Sequence, residues 1–228
     1  MTTNSAAFNA GVRVVLAVCV PLALLLANLY VVANPTYIRY EYGKAGFPPA
    51  SLYEAAERLG LAEATLHYTR SGEDTGYLMS LQSRGRAVYN AREVKHLVDA
   101  KTVMRIAFLV QGISSVLSLL VLAYAWLNPE IRVSALRAVS LGCFTLFAVL
   151  IGIGLLAYSN FGFFFTIFHR LFFEGDSWLF PRTDTLIQLF PVPFWMDATF
   201  ILAGLTLIEC LIVGLGSYAL SRRLSGNA

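Results

Sequence analysis

Four long apolar runs constrain this chain more than any other feature. They occupy residues 14–33, 103–127, 139–158 and 198–220. About 20 such residues carry a helix across the hydrocarbon core of a bilayer. Apolar residues make up 57% of the chain and charged ones only 14%, against roughly a quarter charged in an ordinary soluble domain. The expectation is a single all-α membrane domain over residues 1–228, with four transmembrane helices. The first run is long for a cleavable leader and ends Val-Val-Ala-Asn-Pro without a small-x-small site, so it reads as a retained anchor. A net charge of +3, dispersed along the chain, gives no footprint for nucleic acid.

Basic residues near the spans set the orientation. Arg13, Arg132, Arg137, Arg222 and Arg223 fall on one side, with Glu130 as its acid. This places both termini in the cytoplasm and segments 34–102 and 159–197 outside a cytoplasmic membrane. The first outer segment is long enough for a small cap, helical or mixed α and β. In it, Ser51 to Glu54 reads as a capping box opening a short helix that stops near Gly60. A second helical stretch covers 62–68, and 77–89 is strand or loop. The second outer segment starts with the aromatic run 160–168, expected to lie in the interface as a helix or re-entrant turn before the fourth span. Trp178 and Trp195 are expected interface anchors.

Chemistry concentrates in two stretches, NAREVKHLVDAK at 90–101 and FHRLFFEGDSWLF at 168–180. Each places one histidine beside carboxylates at a membrane edge, and imidazole is the side chain suited to proton transfer near neutral pH. Asn90 and Glu93 form a capping box for a helix running into the second span. On that helix His96 and Asp99 share a face, so a carboxylate is placed to orient the imidazole, although Lys95 and Lys101 compete for Asp99. His67 has no evident partner and reads as a surface or packing residue. Two histidines on separate segments have no metal-ligand spacing, so no metal is expected. Glu209, in mid-span, reads as a protonated side chain bonded to a neighbouring helix, with Ser114, Ser115 and Ser118 as candidate partners. Arg105 snorkels to the membrane edge. Cys19, Cys143 and Cys210 lie inside spans, the first two towards the inner side and Cys210 near the midplane. That depth is wrong for acyl-cysteine chemistry on an outer-leaflet ester.

The two stretches resemble a family of four-span bacterial membrane proteins, the lipoprotein intramolecular transacylases (Lit). The resemblance is carried by Arg92, Glu93, His96, Leu97, Asp99 and Lys101 in the first. In the second it is carried by Phe168, His169, Phe172, Phe173, Trp178, Phe180, Asp184, Leu186, Ile187, Phe190 and Pro191. It implies an acyltransferase that acts on a diacylated lipoprotein in contact with membrane lipid and needs no cofactor. The sn-2 acyl chain of the diacylglyceryl-cysteine would move to the α-amino group of the same cysteine. The expected catalytic pair is His96 and His169: one acts as base, the other polarises the ester or protonates the leaving oxygen, and the roles are exchangeable. Glu93, Asp99, Arg92, Arg170, Asp176, Trp178 and Asp184 are expected to orient or bind. Ser177 is an alternative transient acyl carrier. Competing readings are another outer-leaflet lipid acyltransferase or hydrolase, and a non-enzymatic membrane assembly subunit. Oligomeric state is left open.

Overall fold

A computed structural model describes residues 3–226. The chain is a mostly helical, multi-pass membrane protein. In order the elements are α1 (Thr3–Ala27), α2 (Leu29–Val32), α3 (Pro35–Tyr42), α4 (Ala55–Arg70), α5 (Thr75–Ser80), β1 (Gln82–Ser83), β2 (Arg86–Ala87), α6 (Ala91–Leu127), α7 (Pro129–Ser159), α8 (Phe161–Phe172), α9 (Thr185–Leu189) and α10 (Val192–Gly226). Four helical stretches are long and apolar enough to span: 7–32, α6, α7 and α10. The chain divides into two compact units, and α6, α7 and α10 contribute residues to both.

The first unit comprises residues 1–29, 108–155 and 202–228. Its core gathers Leu16 and Val20 of α1, Ala125 of α6, Ala138, Val139 and Cys143 of α7, and Cys210 of α10. Helices inside a bilayer gain little from burying apolar surface, so they associate through close packing of small residues and interhelical hydrogen bonds. Both devices are present. A Cβ on Gly142 would lie 2.1 Å from the Ala17 carbonyl oxygen, so α7 touches the α1 backbone there. The Ser140 hydroxyl donates to the Gly214 carbonyl at 2.7 Å, joining α7 to α10. Cys143 and Cys210 pack together in this core, which corrects the expectation that they sit at different depths. Glu209 also has a different partner from the three serines expected. The Asn28 side-chain amide, in the break between α1 and α2, donates to Glu209 Oε2 at 2.8 Å and to Thr206 Oγ1 at 3.1 Å. Asn28 also turns back to the Leu24 carbonyl at 3.2 Å. An amide combines a donor with a helix-breaking habit, which a run of hydropathy values conceals.

The second unit comprises residues 30–107 and 156–201. Asn34 caps α3, its side chain accepting from Thr36 N, with Pro35 at the first helical position. Two tyrosines fasten this helix: Tyr37 donates to the Phe194 carbonyl at 2.8 Å and Tyr42 to the Leu189 carbonyl at 2.7 Å. The Ser51–Glu54 capping box does not form. Ser51 gives its N–H to Gln188 Oε1 at 2.7 Å, and Glu54 stands at the helix cap without a side-chain bond. Nor does Gly60 stop the helix. An interior glycine costs only about 1 kcal/mol, and α4 is anchored on both sides of it by buried Arg58, Leu61, Ala62 and Tyr68. Residues 77–89 resolve into the end of α5 and a two-stranded hairpin pairing Gln82 with Ala87 and Ser83 with Arg86. Its turn, Arg84-Gly85, has φ of 51° and 74°, the doubly left-handed conformation that matches hairpin twist.

Replacing Gly142 by alanine drives a methyl group into the α1 backbone, which cannot rotate away. We expect a loss of about 1–3 kcal/mol, read as a lower midpoint in detergent-phase thermal unfolding. Gly152→Ala is the control, since nothing lies within 4 Å of its added Cβ.

Candidate active site

The site is built from the start of α6 upward. Asn90 and Glu93 form the expected reciprocal cap: Asn90 Oδ1 accepts from Glu93 N at 3.0 Å, and Glu93 Oε2 accepts from Asn90 N at 2.9 Å. The other oxygen of Glu93 accepts from Leu186 N, at the start of α9, at 2.8 Å. Glu93 is thus a buried clasp between two helix starts rather than the orienter of His96. Burial raises its pKa above the usual carboxylate value, and its backbone donors oppose that shift.

One turn further on, His96 enters an aromatic cage. Its ring stands 4.7 Å from Phe173, 5.4 Å from Phe180 and 6.3 Å from the ring of His169, nearly parallel to the last at 19°. His169 comes from α8, whose cap is Asn160. On that helix Phe163, Ile167, Phe168, Leu171 and Phe172 are exposed, while His169 is buried. An exposed face of this kind suits a lipid interface. Phe165, one turn before His169, packs on it at 4.0 Å, and Trp178 tilts over it at 4.7 Å. Trp178 was expected to be an interface anchor, but it is only 8% exposed. Its indole N–H donates to the Gly175 carbonyl at 3.1 Å, so the loop after α8 folds it back onto the imidazole.

His169 Nδ1 lies 2.7 Å from the Phe165 carbonyl oxygen. A carbonyl only accepts, so Nδ1 carries the proton and Nε2 of the neutral ring keeps its lone pair. The Nδ1 atom of His96 is buried and has no hydrogen-bond partner among the described residues. This corrects the expected His96–Asp99 pairing. Residues three apart share a helix face, but their side chains need not meet. Lys101 does not take Asp99 either: its ammonium lies 4.0 Å from the centre of the Tyr68 ring and donates to the Glu73 carbonyl.

Arg92 reaches Asp184 Oδ2 at 3.4 Å and its guanidinium lies 5.1 Å from the centre of the Phe180 ring. The cage therefore has a charged rim of Arg92 and Asp184, with Arg92 lying over the Phe180 ring. Asp176 and Arg170 are exposed, with no side-chain bond to either imidazole among the described residues. The Ser177 hydroxyl donates to the Glu174 carbonyl at 3.1 Å. Arg105 donates to the Ser71 carbonyl at 3.0 Å. His67 is exposed, beside Tyr77. Among the described residues, no three His, Cys, Asp or Glu side chains are placed to share a metal ion. Sequence reasoning missed Phe165 as the partner of His169. Its backbone carbonyl leaves no mark in residue type, and only the four-residue spacing on a helix pointed to it.

Residues 14–195 match the family model for lipoprotein intramolecular transacylase Lit. A protein of Aquifex aeolicus (strain VF5), described as uncharacterized, is 26% identical over 204 residues, spanning 89% of this chain and 91% of that one. The in meso structure of the membrane integral lipoprotein intramolecular transacylase Lit from Bacillus cereus aligns with a TM-score of 0.65 at 19% identity, covering 97% of this chain and 98% of that one. A second Bacillus cereus structure, of a variant with one histidine replaced by alanine, gives a TM-score of 0.63 at 17% identity over 98% and 96% of the two chains. These structures share the fold.

Burial pushes the pKa of both caged imidazoles below the ordinary value, and for His96 the neighbouring His169 adds to the effect. The hydrogen bond from His169 to Phe165 pulls His169 back only in part. A lowered pKa keeps each ring neutral further into acid. At pH 6, where a free imidazole of pKa about 6.5 is mostly protonated, His96, pushed down to about 4, should still give neutral-ring signals in 15N-histidine NMR, assigned through His96→Gln, and His169 should be less protonated than the free ring. An imidazolium signal from His96 at pH 6 would contradict its burial in the aromatic cage.

Proposed function

The chain belongs to the lipoprotein intramolecular transacylase family, and from that premise we propose how this acyltransferase works. It moves the sn-2 acyl chain of a diacylglyceryl-cysteine at a lipoprotein N-terminus onto the α-amino group of the same cysteine. The product is a lyso-form lipoprotein. The observation that carries this reading is the pair of stacked, apolar-caged imidazoles, one with its tautomer fixed by a backbone carbonyl.

The reaction needs a neutral amine, a base for the proton it loses, and a proton for the departing glyceryl oxygen. An α-amine has a pKa of about 8, so a usable fraction is neutral at pH 7. Nitrogen attacks the ester carbonyl carbon, and His169 Nε2, the free lone pair, takes the proton from nitrogen. His96, neutral and 6.3 Å away ring to ring, donates to the carbonyl oxygen as negative charge develops there. Collapse breaks the bond to the sn-2 oxygen, and the imidazolium of His169 returns the proton to it. The amide and a free hydroxyl result, with no net proton change. Of the two assignments open at the sequence level, the Phe165 bond favours His169 as base. Amine and ester belong to one substrate, so their proximity supplies much of the acceleration.

Three other features support the reading. Aromatic rings surround both imidazoles, a setting that limits hydrolysis of the ester by keeping water from it. The exposed Phe168 and Phe172 beside His169 offer a surface for acyl chains. The excess of arginine beside the turn at Asn128 and in the terminal segments favours a cytoplasmic-membrane protein with its termini inside, so that the imidazoles serve the extracytoplasmic leaflet.

The test is mass spectrometry of the N-terminal lipopeptide of a reporter lipoprotein, made in a host lacking other N-acylation. We expect an N-acylated lyso-glyceryl product at unchanged total acyl count. A lipopeptide left diacylated with a free amine would refute the reading and favour a phospholipid donor or an assembly role. His96→Ala and His169→Ala should each cut product by about 100-fold or more, the range of general acid–base contributions. Ser177→Ala should retain activity, because transfer is direct; trapping an acylated Ser177 would replace the direct route by an acyl-enzyme.

A further inference from the structure

An open cleft lined by charged side chains lies in the first unit, remote in sequence from the histidines. Helices α1 and α7 are pinned together where Gly142 meets Ala17. One to two turns towards Ala10 and Ser134 lies a cleft of about 720 Å³. Arg13 and Arg137 both line it, and so does Glu130. Arg13 donates through Nε to the Asn9 carbonyl of its own helix, and Arg137 through one Nη to Ser225 Oγ. Among the described residues, neither arginine nor Glu130 is engaged in an ion pair. The cleft wall continues along Val14 and Leu141, which are 63% and 65% exposed.

We propose that this cleft binds a phosphoethanolamine-headed glycerophospholipid. Two guanidinium groups lining one cleft suit a phosphate monoanion, since each offers a planar fork of donors. The carboxylate in the same cleft suits a primary ammonium, which has three donors of its own. The head group carries both charges a few atoms apart and satisfies all three side chains together. An acyl chain then lies on Val14 and Leu141, the apolar continuation of the cleft. A head group without an ammonium leaves Glu130 facing phosphate alone. A quaternary ammonium cannot donate to it.

Native mass spectrometry of the full chain, released from micelles containing equimolar phosphatidylethanolamine, phosphatidylcholine and phosphatidylglycerol, tests this. Phosphatidylethanolamine adducts are expected to persist and to outnumber the other two. E130Q should erase that preference over phosphatidylcholine. R13Q/R137Q should weaken retention of all three lipids about thirtyfold, as expected for two interfacial cations. R222Q/R223Q, which removes equal charge outside the cleft, should change neither. Should R13Q/R137Q fail to fold, E130Q and the exposed Leu141→Gln, which roughens the chain-bearing wall, still decide the matter. Equal retention of all three lipids overturns the proposal. So does preferred phosphatidylglycerol that strengthens in E130Q, or a loss in R222Q/R223Q matching that in R13Q/R137Q.

Discussion

Glu93 holds the histidine-bearing unit in register. It closes the start of α6 through Asn90 and reaches across to the Leu186 N–H, in the first turn of α9, with its other oxygen. Both bonds are made by one buried carboxylate, whose desolvation is tolerable only because its oxygens are satisfied. His96 follows three residues later, so its depth and heading are set by that cap. The same α9 carries Leu186 and Leu189 into the core with Leu97, Val88 and Tyr89. A residue that resembles a catalytic carboxylate in sequence is in structure the fixture against which the imidazole is aligned.

Among the described residues, no carboxylate is bonded to either imidazole. Rings of Phe165, Phe173, Phe180 and Trp178 surround them, and among the described residues the one hydrogen bond made by either ring is to a backbone carbonyl. Such a setting keeps both rings uncharged and so preserves a lone pair for accepting a proton. A carboxylate partner would instead favour imidazolium, because opposite charge stabilises the protonated form. For a reaction whose nucleophile is an amine competing for the same proton, the uncharged resting state is the more useful one.

Much of this was legible in the residues. The four spans follow from hydropathy, the Asn90–Glu93 cap from its spacing, and the pairing of the two histidines from the family resemblance. What failed were inferences from proximity along one helix. Asp99 shares a face with His96 yet makes no bond to it, and the serines of α6 proved irrelevant to Glu209. Long-range partners decided these cases: Leu186 N for Glu93, Asn28 for Glu209, Gln188 for Ser51. Helix α3 went unread because its apolar residues are few, and what holds it is two tyrosine hydroxyls seeking distant carbonyls. Backbone acceptors have no residue type, so no pattern of side chains announces them.

The hydrogen bond between Asn28 and Glu209 joins residues 181 positions apart, in the first spanning stretch and the last. A carboxyl group is costly in hydrocarbon until a partner meets it. During synthesis the amide of Asn28 waits in the membrane while two further spans are laid down, and its mate arrives only with the fourth. Insertion of these four spans therefore closes with a polar contact between the first of them and the fourth. A copy lacking the fourth span leaves the amide only the Leu24 carbonyl of its own helix, so the fourth span supplies the partner that turns a local bond into one between helices.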